Sequence, residues 1–240
     1  MEIRRFFVEP SDINGTFVTL TGDEFLHMVK VLRYKVGFKA IVCANDGVER
    51  LCTVKEIGKD FATLVIDKET AVDVKKAHVT LFAGLLKNNK LDFVFQKAVE
   101  LGVDKIVPFV SANCAETKFS QDRAEKIALE AAKQCGSAYL SKVGALENLD
   151  VVLSSFKDFD TVLFAYENEK KNRIKDCLYK GKNIALVVGP EGGFTQEETD
   201  KAKECGATII TLGKRILRAE TASIVSCALL LDHLGELDYE

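Results

Sequence analysis

The chain has 240 residues, 33 Lys+Arg against 36 Asp+Glu, a formal net charge of −3, and 47% hydrophobic and 29% charged residues. That apolar content excludes a disordered chain, and the lack of a Gly-X-Y period or a long heptad run excludes a fibrous one. The longest apolar stretch, 224–231 with Ser226 inside it, is too short to span a bilayer, and Arg4-Arg5 near the start is followed only by Phe6-Phe7-Val8, no signal-peptide core, so a cytoplasmic protein with no membrane partner is expected.

Residues 1–72 read as short strands with tight turns. Apolar, β-rich pieces lie at 16–20, 39–44, 50–57 and 61–67, and Asn45-Asp46-Gly47 and Gly58-Lys59-Asp60 are hairpin signals. The exception is 23–31, where Phe25, Met28, Val29 and Leu32 recur at helical spacing. Several strands with one helix predict a small β-barrel. The segment 25–39 carries Lys30, Arg33, Lys35 and Lys39 and no acid, with Arg4 and Arg5 at the same end of the chain. A solvated face and a nucleic-acid footprint both fit such a run.

After a linker at 71–77 the rhythm changes. The pattern predicts strands at 78–86, 104–110, 161–166, 183–188 and 207–212, with a weak one at 139–143. Helices are predicted at 90–100, 121–134, 195–204 and 221–234, with capping boxes at Asp122/Glu125 and Thr195/Glu198. Apolar strands alternating with helices imply an α/β domain over 73–240, whose parallel sheet is covered on both faces. Ligands bind such sheets beyond the carboxyl ends of the strands, so the loops after Tyr166, Val188 and Leu212 are where chemistry is expected.

The second of these loops reads Gly189-Pro190-Glu191-Gly192-Gly193-Phe194-Thr195. Adjacent glycines let backbone approach a ligand closely; a strand-to-helix turn that needs glycine for its own geometry fits equally. It is neither the dinucleotide fingerprint nor a P-loop. The third reads Leu212-Gly213-Lys214-Arg215-Ile216-Leu217-Arg218-Ala219-Glu220-Thr221-Ala222. There Glu220 and Thr221 suit the start of a helix, as a first-turn acid and a cap, as well as they suit a site. The seven cysteines include no C-x-x-C, and His27, His78 and His233 are scattered, so reduced thiols and no metal are expected.

The two loops together resemble those of the SPOUT class of RNA methyltransferases, and within it the RsmE family. Arg4-Arg5-Phe6-Phe7, His27-Met28-Val29-Lys30-Val31-Leu32-Arg33, Gln96-Lys97-Ala98-Val99-Glu100-Leu101-Gly102-Val103 and Glu130-Ala131-Ala132-Lys133-Gln134 add to the likeness, which covers nearly the whole chain. The chain departs from the family at Gln134-Cys135-Gly136-Ser137, where an Arg is usual, and at Ser111-Ala112-Asn113-Cys114, where an Arg-Ser or Glu-Arg pair is common; both positions are expected to face RNA.

The resemblance implies an N-terminal PUA-like barrel over 1–72 and a methyltransferase domain over 73–240, with a trefoil knot and cofactor site at 161–235. It implies a homodimer that methylates N3 of one uridine in 16S ribosomal RNA of the small ribosomal subunit, using S-adenosylmethionine. The donor is expected against Leu163, Phe164 and Ala165, against Val188, Gly189, Pro190, Glu191, Gly192 and Gly193, and against Leu212, Gly213, Arg215, Ile216, Leu217, Thr221 and Ala222. Ile216 and Leu217 would cover the adenine. Arg218 is the candidate for stabilising the uridine imide anion and Glu220 for taking its proton. Arg4, Arg5, Lys30, Arg33 and Lys35 would contact phosphates. Ile224, Ala228 and Leu231 with Val225 and Leu229 give the last helix more apolar surface than one sheet face needs, which points to a dimer contact. Two alternatives stay open: a SPOUT enzyme for a ribose 2′-hydroxyl or another base, and a non-catalytic ribosome-assembly factor.

Overall fold

The computed structural model describes residues 3–238, and these divide into two compact units. The first holds residues 3–74 with Ala132–Leu140, the second Lys75–Ala131 with Ser141 onward.

The first unit contains strands β1 (Arg4–Phe7), β2 (Ile13–Asn14), β3 (Phe17–Leu20), β4 (Lys39–Cys43), β5 (Val48–Ile57) and β6 (Ala62–Ala71), with helix α1 (Gly22–Leu26) between β3 and β4. They form one curled six-stranded sheet in the order β1-β4-β5-β6-β3-β2. Only β1 against β4 is parallel; the other pairings are antiparallel. Both hairpin signals hold. Asn45 takes φ 56, which Asn tolerates better than most residues, and the Gly58 N–H donates to the Phe61 carbonyl at 2.8 Å.

The helical stretch 23–31 holds in extent but not in type. After Leu26 it widens into a π-turn over His27–Val31, and the Tyr34 N–H reaches back to the Met28 carbonyl. Phe25 and Met28 still point inward, into a core with Phe6, Leu20, Val42 and Leu64. Full burial of side chains this size contributes roughly 1.5–3 kcal/mol each. The Ala132–Leu140 segment joins the unit through an ion pair between Lys133 and Glu24 and a Leu140 N–H bond to Asn45 Oδ1 at 2.6 Å.

The second unit runs β7 (His78–Gly84), α2 (Lys90–Leu101), β8 (Lys105–Val110), α3 (Gln121–Cys135, whose end falls in the first unit), β9 (Lys142–Val143), β10 (Glu147–Asn148), α4 (Leu149–Ser154), β11 (Thr161–Ala165), β12 (Asn183–Val188), α5 (Gln196–Glu204), β13 (Thr208–Ile210) and α6 (Ala219–His233). The sheet order is β10-β8-β7-β12-β11-β13, with β9 on β8, and every pairing is parallel. Ile184 to Val188 are all buried, as a strand covered on both faces requires. One face packs Phe82, Phe109, Phe164 and Val187 against Val152, Phe156 and Phe194. Elsewhere α6 packs against β12 and α2.

Three local readings are corrected. Residues 147–158 hold β10, α4 and a helical turn, where nothing was expected; Leu149, Val152, Leu153 and Phe156 have helical spacing and all are buried. Helix α3 begins at Gln121, so Asp122 is a first-turn acid inside it rather than a residue preceding it. Helix α6 begins at Ala219 with Arg218 as its N-cap, so Thr221 is a first-turn residue rather than a cap. The Thr195/Glu198 box forms as read: Glu198 N–H bonds Thr195 Oγ1 at 3.1 Å, and Thr195 N–H bonds Glu198 Oε2 at 2.8 Å.

The order places β11 between β12 and β13, so the carboxyl ends of these three strands adjoin. Their loops converge on one crevice.

Candidate active site

That crevice is a cavity of about 510 Å³, a size that suits a small-molecule ligand or cofactor. Its walls come from the loops after β11, β12 and β13, together with Lys90 at the start of α2.

The loop after β12 is held from below by aromatic packing. Phe194 is buried, its ring 4.1 Å from Phe164 and stacked on Phe109 at 6.0 Å between centroids. Above it, the Gly193 N–H donates to the Pro190 carbonyl at 3.0 Å, and Gly193 takes φ 64, a left-handed conformation that favours glycine. Pro190 rests on β7: a Cβ at Gly84 would lie 2.4 Å from the Pro190 nitrogen, so the contact requires glycine there. Glu191 accepts from Lys90 Nζ at 3.0 Å and from the Lys87 N–H at 3.2 Å. Burial alone would raise its carboxyl, but these two donors prevail and hold it below the ordinary carboxylate range.

The loop after β13 contributes Leu212, Gly213, Lys214, Arg215, Ile216, Leu217 and Arg218 to the wall. Thr211 anchors it, donating its N–H to the Asn172 carbonyl at 2.8 Å and taking the Gly213 N–H on its hydroxyl at 3.2 Å. Ile216 is 87% exposed and Leu217 half-buried, so apolar surface stands open over the cavity. Lys214, Arg215 and Arg218 are exposed cations at its edge. The loop after β11 adds Ala165, Tyr166 and Glu167, and Glu167 Oε1 lies 2.7 Å from where a Cβ of Gly193 would be. Exposed backbone from glycines, an apolar flap and cations at the rim together suit a nucleoside-bearing ligand beside an anionic one.

Of the expected donor-site residues, Ala165, Val188, Gly189, Pro190, Glu191, Gly192, Gly193, Leu212, Gly213, Arg215, Ile216, Leu217 and Ala222 line the cavity, as does Arg218. Leu163, Phe164 and Thr221 do not. The first two are fully buried, because mid-strand side chains of a doubly covered sheet enter its two cores and only the strand end reaches the crevice. Thr221 is exposed on α6. Glu220 also lies off the wall; its Oε2 is buried without a hydrogen-bond partner among the described residues. Lys90, Tyr166, Glu167, Phe194, Thr211, Lys214 and Ala219 line the cavity without having been expected. Tyr166 and Glu167 could have been found, since their loop was singled out. Lys90 could not, because only the tertiary fold brings it to Glu191.

In the first unit, Lys30, Arg33 and Lys35 are exposed in and after the π-turn. The Arg4 N–H donates to Tyr34 Oη at 3.2 Å, which ties β1 to the segment bearing Arg33 and Lys35. Arg5 differs: its side chain is 8% exposed and its guanidinium binds Glu49 at 2.7 Å and Cys43 Sγ at 2.8 Å. Among the described residues no His, Cys, Asp or Glu cluster is arranged to hold a metal ion, and no helix is long and apolar enough to cross a membrane.

Residues 73–231 match the family described as RNA methyltransferase domain, and 20–67 the family described as RNA methyltransferase PUA domain. The chain is 32% identical to the ribosomal RNA small subunit methyltransferase E of Bacillus subtilis, over 92% of this chain and 93% of that protein. It is 34% identical to the protein of the same name from Mesomycoplasma hyopneumoniae, over 92% and 95%. The crystal structure of a ribosomal RNA small subunit methyltransferase E from Neisseria gonorrhoeae, bound to S-adenosyl methionine, superposes with a TM-score of 0.85 at 26% identity, covering 96% of this chain and 98% of that one. On its sequence and its fold, the chain belongs to the RNA methyltransferase family that contains these proteins, the RsmE family.

Proposed function

We propose that the protein transfers a methyl group from S-adenosylmethionine to N3 of one uridine in 16S ribosomal RNA of the small ribosomal subunit. The observation that carries this reading is the convergence of the two loops, with Arg218, on one cavity, in a chain 32% identical to a ribosomal RNA small subunit methyltransferase E.

S-adenosylmethionine, when bound, supplies a methyl group on a cationic sulfur. The chain's task is then positioning and electrostatics. Backbone of Val188–Gly193 and of Leu212–Leu217, which lines the cavity, would hold the donor, and Ile216 and Leu217 would cover it and exclude water. The uridine imide is a weak acid, and the Arg218 guanidinium at the cavity edge favours its anion, the form that attacks carbon. Glu220 follows Arg218 by two positions in the first turn of α6 and is the proposed acceptor of the imide proton. A base in a stacked helix cannot reach the cavity, so the target uridine is unpaired or flipped out.

The first unit is read as a PUA-like β-barrel (domain 1–72) that meets RNA phosphates through Arg4, Lys30, Arg33 and Lys35, with Arg5 held internally by Glu49. The catalytic domain is read as 73–240, with a trefoil knot within 161–235. Support for the knot is that β13 pairs with β11 on one side while Arg173, from the connection after β11, bridges Thr211 at its end. Support for a homodimer is the apolar strip on α6: Leu229 is 47% exposed, and Ile224, Val225 and Ala228 are half-buried. Support for a cytoplasmic location is the proposed ribosomal substrate.

The test is to incubate purified protein with labelled S-adenosylmethionine and small subunits from cells lacking the gene, then analyse the nucleosides. Label in 3-methyluridine is expected. Label in a 2′-O-methyl nucleoside or another base replaces the target, and no label with no donor binding leaves an assembly factor.

A further inference from the structure

The turn after β8 makes contact with the glycine loop of the cavity. There Cys114 N–H donates to the Ser111 carbonyl at 3.1 Å, and Cys114 Sγ takes the Ser111 N–H at 3.3 Å, so Ser111–Cys114 closes on itself. Asn113 Nδ2 donates to the Gly192 carbonyl at 3.1 Å and to the Gly193 carbonyl at 3.3 Å. Beside it, the Ala112 N–H donates to Glu198 Oε1 at 2.8 Å, while Glu198 Oε2 takes the Thr195 N–H of the capping box at 2.8 Å. The approach is close: a Cβ on Gly192 would lie 2.8 Å from both Cβ and the carbonyl oxygen of Asn113.

Each of these bonds constrains the cavity wall. Gly192 and Gly193 line it, and glycine backbone is the least restrained there is. A loop chosen for close approach to a ligand therefore needs its peptide planes fixed from outside. Two adjacent carbonyls drawn onto one amide leave little freedom to rotate the planes on either side of Gly193. The Pro190–Gly193 turn fixes the near end of the loop and the Thr195/Glu198 box fixes the far end. Asn113 holds the middle.

We propose that Asn113 is a positioning residue for the donor pocket, setting the orientation of the Gly192-Gly193 backbone from behind. It touches no reacting atom. The segment Ser111-Ala112-Asn113-Cys114 thus braces the cofactor side of the enzyme in this chain, at a position where RNA contact was expected. The proposal rests on the reading that this cavity takes S-adenosylmethionine.

The experiment compares Asn113→Ala and Asn113→Asp with the parent in the full-length chain. Three quantities are read: calorimetric affinity for S-adenosylhomocysteine (the stable product), kcat and KM on small subunits, and amide hydrogen exchange of the peptide covering 189–196. Asp keeps the size of Asn but has no N–H and turns a carboxylate onto two carbonyls. A bracing amide therefore predicts Asp worse than Ala, whereas simple packing predicts Ala worse than Asp. The expected result is ~10-fold weaker product affinity for Ala and a larger loss for Asp. The KM for subunits stays within twofold, kcat falls, and exchange across 189–196 accelerates in both variants. Affinity and exchange equal to the parent in both variants, or Ala worse than Asp, overturns the proposal. If the parent itself binds no S-adenosylhomocysteine, the proposed function fails instead, and the exchange comparison alone then decides whether Asn113 braces the loop.

Discussion

Phe194 sits on Phe164 with ring centroids 4.1 Å apart, and through this contact the ligand-facing loop is fastened to the middle of the sheet. Phe164 belongs to β11 and is fully buried; Phe194 closes the glycine loop. The loop after β12 is thus fastened to β11 by a hydrophobic anchor, which water does not compete for. Phe194→Ala is expected to cost about 3–5 kcal/mol of unfolding free energy, read by urea denaturation. Phe194→Leu, which keeps most of the volume, is expected to cost under half of that. Donor affinity should fall in both variants in the same order, because the anchor and the loop move together.

Under the proposed function, an assignment open to test, Arg218 acts on the uridine. It caps α6 with an extended backbone (φ −66, ψ 150), so its side chain leaves the helix start at the cavity edge. Arg218→Ala is expected to lower kcat by about 10²–10³, the usual cost of removing one preorganised charge, with S-adenosylhomocysteine affinity within threefold of the parent. An equal loss in both quantities would move Arg218 from the uridine to the donor. Arg218→Lys keeps the charge without the planar fork and should recover only part of the rate.

The Glu191–Lys90 pair makes one contribution to stability pH-dependent. The folded protein holds the Glu191 carboxyl below its ordinary value. A depressed acid stabilises the fold above its unfolded value of about 4.3. That contribution fades as pH falls through the folded value. Parent and Glu191→Gln should therefore differ in denaturation midpoint at pH 7 and converge once the pH has fallen below the folded value. A difference that persists at low pH would show that Gln disturbs the loop by some route other than charge. Lys90→Ala should give the same convergence from the other partner.

Much of this arrangement is legible in the residues, and the failures have a common cause. Thr195 and Glu198 can be recognised as a cap because both partners lie in one turn. The loops after β12 and β13 stand out because their glycines and arginines are local. Leu163 and Phe164 lie off the cavity wall because a parallel strand hides its middle in two cores, and nothing local says where the crevice begins. Thr221 went wrong by a single helical turn, since Arg218 takes the cap position and carries the helix start forward. Lys90 and Asn113 act on residues far along the chain, at Glu191 and at Gly192-Gly193. Such partners become visible only when the sheet order sets β7 beside β12 and β8 on the other side of β7. Arg5 shows the converse: its neighbour Arg4 is exposed, yet strand alternation turns Arg5 toward Glu49.

That alternation separates two kinds of arginine which composition alone treats alike. Lys30, Arg33 and Lys35 are exposed in one short segment, so removing all three should weaken RNA binding without unfolding the protein. For single-stranded RNA the slope of log affinity against log salt should become shallower by about 2, from three lost phosphate contacts at roughly 0.7 each. The melting temperature should stay within a degree or two. Arg5→Ala should do the opposite. It strips Glu49 of its ion-pair partner and Cys43 of its donor in a nearly closed site, at an expected cost of roughly 2–3 kcal/mol. Its salt slope should match the parent. Filter binding across a salt series, with a thermal melt on each variant, measures both. If Arg5→Ala flattens the slope while the melt is unchanged, Arg5 leaves Glu49 for a phosphate when RNA is bound.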